Sequence, residues 1–179
     1  MNFQKLTLKA QEALQRAQEI ASANNHQSIE PAHALLALLE DSGGIIPPML
    51  LKLGANVDYL KSKTQQDLDA LPKVGGTVVG SQFLSRDLGS VMELALKEAQ
   101  KLGDEYVSTE HLLMAIAEQK SSASQLLRDQ GVTKDAVVKI LKDFRGSQRV
   151  TDQNPEDKYQ ALKRYGRSIN DEARKGKID

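Results

Sequence analysis

Apolar positions recur every three or four residues along most of the chain, a spacing that predicts helices. In TLKAQEALQRAQEIASA, Ala10, Ala13, Leu14, Ala17 and Ala21 fall on one helical face, and Thr7 stands where an N-cap belongs. A polar turn, NNHQ, precedes SIEPAHALLALLED. There Pro31 suits the first helical turn, because the amide it lacks would have no partner at that position. Gly43 and Gly44 end this helix. PPMLLKLG predicts a short third helix closed at Gly54, a residue suited to a left-handed C-terminal cap. Asn56 caps a fourth, VDYLKSKTQQDLDAL, which Pro72 closes.

The second half repeats the first. A shift of 78 positions carries Ala17 onto Ala95, Ala21 onto Ala99, Ile29 onto Val107, His33 onto His111 and Glu40 onto Glu118 without a gap. With one residue dropped, Gly54 falls on Gly131. Few residues are identical, but apolar positions and helix breaks agree, which indicates an internal duplication. PKVGGTVVGSQF joins the copies and reads as a flexible loop. After the second copy, RGSQRVTDQNPED is polar with Gly and Pro, as linkers are. Tyr159, Leu162, Tyr165 and Ile169 then recur at helical spacing with little other apolar surface, predicting a helix that is marginal by itself.

The fold expectation is therefore all-α. Two pseudo-twofold-related repeats of about four helices each, about 6–71 and about 84–146, make a domain over 1–148, followed by a linker helix segment in 149–179. A four-helix unit alone leaves an apolar face that the other copy covers. The tail is expected to lead into a further domain.

Composition narrows the function classes. Lys plus Arg equals Asp plus Glu at 24 each, so bulk charge favours neither nucleic acid nor an acidic membrane surface. The chain has no cysteine, which excludes disulfide scaffolds, thiolate metal sites and cysteine nucleophiles. No segment approaches the ~20 apolar residues of a membrane span. The expectation is a soluble cytoplasmic protein with neither nucleic-acid nor membrane partners.

Little catalytic chemistry is legible. His33 and His111 occupy equivalent places near the start of the same helix, without HExxH or paired-His spacing, and read as packed, hydrogen-bonded histidines. GxSxG and GxxxxGK[ST] are both missing. Asp104 and Glu105 sit at a turn, where acids favour the helix that follows. Ser121–Ser124 suit a helix start. No catalytic, cofactor or metal residue is assigned, and no enzyme is expected. One irregularity concerns binding. In the second copy's first helix, Leu88, Val91, Met92, Ala95, Ala99 and Leu102 supply a buried face, yet Leu94 and Leu96 fall outside it where the first copy has Arg16 and Gln18. Either that copy is more enclosed, or these leucines line an apolar groove between copies.

The paired IEPAHALLALLE and VSTEHLLMAIAE resemble the Clp N-terminal repeat domain of AAA+ chaperones. The likeness extends over LTLKAQEALQRAQEIA in front, LPKVGG and SRDL between the copies, and VTDQNPEDKYQALKRYG behind, so it covers essentially the whole chain. In the protein-disaggregase branch of that family, a similar tail runs into the first ATPase module. The resemblance implies a larger homohexamer that threads aggregated polypeptides with ATP and Mg held in domains beyond this chain, cooperating with a DnaK-type chaperone. The domain itself would be monomeric and would engage unfolded or aggregated polypeptides weakly through an apolar groove. The likeness points to Met92 and Leu94 as groove residues and to Thr7, Asp104 and Glu110 as polar positions tied to substrate handling. Thr7 also reads as a helix cap. His111 stands where some relatives place an apolar groove residue. The alternatives are an adaptor-docking N-domain of a ClpA- or ClpC-type protease chaperone, or a mobile spacer without client contact.

Overall fold

The computed structural model describes residues 3–75 and 82–155. A 3₁₀ turn, Phe3–Lys5, leads into α1 (Leu8–Ala23). The first copy continues with β1 (Ser28–Ile29), α2 (Pro31–Glu40), α3 (Ile46–Lys52) and α4 (Val57–Asp69). The second comprises β2 (Phe83–Leu84), α5 (Arg86–Lys101), α6 (Thr109–Glu118), α7 (Ser122–Asp129) and α8 (Lys134–Arg145). The bounds of α1 and α2 move onto those of α5 and α6 under the 78-residue shift.

Capping explains much of this agreement. Thr7 Oγ1 accepts the Ala10 amide at 3.2 Å to start α1, and Ser85 Oγ accepts the Leu88 amide at 3.0 Å to start α5. Asn56 and Thr133 cap α4 and α8 in the same way. Gly54 (φ 79) and Gly131 (φ 78) provide the left-handed turns after α3 and α7. At the turn after the first helix, the left-handed residue is Asn25 in one copy and Gly103 in the other.

Helices α2 and α6 are central. Pro31 through Leu39 and Thr109 through Ala117 are all buried, as befits helices apolar nearly all round. Helix α1 packs on α2, α5 on α6, α4 on α2 and α8 on α6, and α2 meets α6 where the copies join. Ala10, Ala17 and Ala21 are wholly buried, and their small side chains permit the close approach of α1 to its neighbours. Leu35, Leu50, Leu60, Leu88 and Leu113 fill the spaces between, each contributing about 1.5–3 kcal/mol by leaving water.

The copies exchange extended segments. Ile29 pairs with Leu84 in the parallel β1–β2 ladder, and Leu6 forms a parallel bridge with Val107. The 78-residue shift converts one pair into the other, so the segment ahead of each copy's first helix hydrogen-bonds the segment ahead of the other copy's second helix. This exchange defines a pseudo-twofold axis between the copies.

Three expectations are refined. Phe83, placed at the end of the joining loop, belongs to β2, and the loop's residues 76–81 lie outside the described residues. His26 of the polar turn is buried, because its ring turns inward to meet His33. Residues up to Asn154 of the expected linker run back along the domain. The Val150 carbonyl accepts from Glu105 N–H at 2.8 Å, and the Gln153 carbonyl accepts from Leu8 N–H at 2.7 Å. The helical part of that linker, with Tyr159, Leu162, Tyr165 and Ile169, lies outside the described residues.

Candidate functional site

A groove of ≈ 370 Å³ lies between α1 and α5, above the exchanged segments. Leu6, Leu14, Ile29 and Met92 form its buried floor. Phe3 and Leu84 stand at its edge, exposed to 59% and 47%. Gln11, Gln15, Gln18 and Gln82 complete the walls. Gln11 is fixed there because its Nε2 donates to the carbonyls of Phe3 (3.2 Å) and Leu6 (3.1 Å). No ionisable side chain lines the groove among the described residues. Such a surface can take up apolar side chains by releasing water, and it offers a charged group no compensating partner.

Met92 lies on the floor of this groove. Leu94 does not line it. Leu94 and Leu96 are half-buried and pack against the core, in accordance with the more enclosed second copy. Sequence reasoning missed Phe3, Leu6, Leu14 and Leu84, which lie far apart in the chain and are brought together only by the exchange.

The polar positions gather elsewhere, with Thr7 acting as the α1 cap and wholly buried. Asp104 is not the helix N-terminal acid expected at its turn; Ser108 is the N-cap of α6, and Asp104 is turned inward by Arg145 from α8. Arg145 Nη1 donates to both Asp104 oxygens at 3.0 Å, and the Val150 amide donates to Oδ1 at 3.0 Å. His111 Nε2 donates to Oδ2 at 2.7 Å while its Nδ1 accepts the Ser108 amide at 2.9 Å. Ser108 Oγ donates to the Glu110 carboxylate, whose other oxygen lies 3.9 Å from Arg145 Nε. Burial alone would raise the Asp104 carboxyl. The hydrogen bonds from His111 and Val150, and then the Arg145 charge, outweigh it and hold the group below its ordinary value.

Ser108, His111 and Asp104 have the connectivity of a nucleophilic triad, but Ser108 and His111 are 0% exposed and the serine hydroxyl is directed to Glu110. No substrate atom can reach it. The constellation is a buried lock joining α5, α6, α8 and the segment around Val150.

The first copy keeps the same histidine with a different partner. His33 Nδ1 accepts the Glu30 amide at 2.9 Å, and its Nε2 lies 2.9 Å from His26 Nδ1. Each repeated histidine therefore closes the first turn of a central helix with one nitrogen and holds the preceding turn with the other. Burial, then the neighbouring His26, pushes His33 down to about 4. Burial, then the Lys73 charge, lowers His26. No group of three or more His, Cys, Asp or Glu side chains is placed to hold a metal ion among the described residues. No helix among them is long and apolar enough to cross a membrane.

The described residues thus form a duplicated helical domain with an uncharged groove at the junction of its copies. The Clp repeat (R) N-terminal domain family matches residues 5–159, and the chain belongs to that family. The chaperone protein ClpB of Bacillus cereus is 39% identical over 181 residues, covering 100% of this chain and 21% of the relative. The chain thus spans about one fifth of the length of the curated relatives it matches. The Hsp104 N-terminal domain from Candida albicans has the same fold, with a TM-score of 0.73 at 21% identity over 85% of this chain and 99% of that one. A ClpV N-domain solved as a complex with a VipB peptide gives a TM-score of 0.60 at 18% identity, over 77% of this chain and 85% of that chain. The kinship and the all-α architecture read from the sequence agree with these findings.

Proposed function

We propose that this domain is the substrate-engaging N-terminal module of an ATP-dependent chaperone disaggregase, holding unfolded or aggregated polypeptide segments in the α1–α5 groove. The carrying observation is the groove itself, a shallow apolar floor around Met92 and Leu14 with exposed Phe3 and Leu84 at its edge and no ionisable lining among the described residues. Unfolded chains have exposed apolar side chains in common, and such a surface discriminates on that property alone. In the complete protein, ATP hydrolysis, hexamer formation and cooperation with a DnaK-type chaperone would belong to other domains. The buried Asp104, Glu110 and Thr7 act on this function indirectly, by fixing the frame that carries the groove.

Binding is expected to be weak, because ordering a flexible chain opposes it and no precise polar contact compensates. A Kd between ~10 μM and ~1 mM is expected. The test is an NMR titration of ¹⁵N-labelled protein with an unfolded, aggregation-prone polypeptide, with a tightly folded protein as control. Saturable shifts at Leu14, Leu84 and Met92 with the unfolded ligand alone support the reading; their absence at millimolar ligand removes it. The peptide complex of the ClpV N-domain favours a second reading, docking of one defined partner segment. That reading requires strong dependence on ligand sequence, whereas client capture requires only apolar character.

A further inference from the structure

Under the 78-residue shift Leu6 falls on Leu84 and Leu14 falls on Met92, and all four line one groove. A groove containing both members of two exchanged pairs is crossed by the exchange axis. The axis stands normal to it, because an axis lying in the surface would turn the groove into the protein. The parallel bridges Ile29–Leu84 and Leu6–Val107 are exchanged by the same rotation. A half-turn about the normal reverses any chain lying along the groove while exchanging Leu14 with Met92 and Leu6 with Leu84. A segment running N to C and one running C to N therefore meet the same apolar residue types at these two pairs.

We infer that the groove holds an extended, uncharged polypeptide segment in either chain direction; this rests on the client-capture reading above. Two observations make the reversal physically effective. Apolar contact is non-directional, so floor contacts carry no preference for chain polarity. The lining has no ionisable group among the described residues, so it has no fixed charge to orient a chain and no partner for a charged side chain that must shed water. Departures from symmetry lie in the floor, where Ile29 lines the groove but its equivalent Val107 does not and Leu6 is buried while Leu84 is 47% exposed, and in the walls. Gln15 and Gln18 of α1 line the groove, while their equivalents Glu93 and Leu96 of α5 do not. These walls modulate affinity, whereas the floor sets what is bound.

The probes are a short, end-blocked peptide of apolar and amide residues in non-palindromic order, and the same residues in reversed order. Each is titrated into ¹⁵N-labelled protein. Each is then titrated again carrying a nitroxide on an added N-terminal cysteine, which meets no competing thiol because the protein has none. The two Kd values should agree within about fivefold. The label should broaden the amides of both Gln18 and Leu96, which are equivalents on opposite sides of the axis. A larger gap in Kd, or broadening on one side with groove shifts intact, overturns direction-independence and leaves client capture standing. If neither peptide shifts Leu14, Leu84 or Met92, capture and direction-independence fall together.

Discussion

Replacing Asp104 by alanine tests whether the buried polar cluster holds the second copy together. The substitution deletes the acceptors for His111 Nε2, for the Val150 amide and for Arg145 Nη1. Arg145, only 5% exposed, then faces Glu110 at 3.9 Å, too far for a good hydrogen bond. Breaking a buried pair from one side costs about 3–5 kcal/mol, because the remaining charge stays out of water. The nearby Glu110 places the expected loss toward the lower end, at about 3 kcal/mol, a large share of the ~5–15 kcal/mol typical of a domain. Urea unfolding followed by circular dichroism at neutral pH should show the midpoint falling by roughly 1–2 M with unchanged slope. Adding Arg145→Met should recover part of the loss by removing the buried cation that Asp104 no longer neutralises. Amide exchange at Val150 should quicken. A loss under about 1 kcal/mol, or a double variant less stable than Asp104→Ala alone, would refute the reasoning.

Acid should weaken the first copy before the second. His33 and His26 have folded pKa values below their ordinary value of 6.5, so their stability contribution is full above pH 6.5 and is lost as pH falls. For His33 the loss approaches about 3 kcal/mol near pH 4, and a Tm series from pH 7 to 4 should slope downward, more gently in His33→Asn. Asp104, whose folded pKa is also lowered, contributes stability above its unfolded value near 3.8 that disappears only at still lower pH. Gly103→Ala places a Cβ at φ 75 against Arg149, which caps the Leu102 carbonyl, and should cost about 1–2 kcal/mol in urea unfolding. Leu84→Asp should reduce polypeptide binding at least about tenfold while leaving Tm nearly unchanged. Leu94→Asp should do the reverse, losing about 1–2 kcal/mol of stability with groove shifts retained.

The helices were legible because each of their signals is local. Caps such as Thr7 and Asn56, the prolines of α2 and α3, and the left-handed Gly54 and Gly131 act within a few residues of themselves. The duplication amplified these signals, since each weak indication appears twice at one offset. His33 and His111 could be read as packed histidines on the same grounds. What bonds their second nitrogen could not, because Asp104 meets Arg145 from 41 positions away and no local pattern marks an arginine for burial. The groove was legible only in part. Surplus leucines drew attention to Leu94, but an i-to-i+4 pattern does not distinguish a residue packed at the margin of the core from one lining a surface cleft. The lining of the α1–α5 groove depends on the exchange of two-residue extended segments, which are too short to leave a period-two signature.

That exchange bears on how such a chain could arise. A single four-helix unit carries one unpaired extended segment ahead of its first helix and a matching one ahead of its second. Two separate units satisfy both by meeting as an isologous pair, each lending the other what it lacks. The present chain is such a pair covalently fused. Fusion allows the halves to drift apart wherever they no longer face each other, as His26 and Asp104 have done while serving the same histidine. The groove, by contrast, belongs to neither half, and a half-chain could regenerate it only by finding its twin.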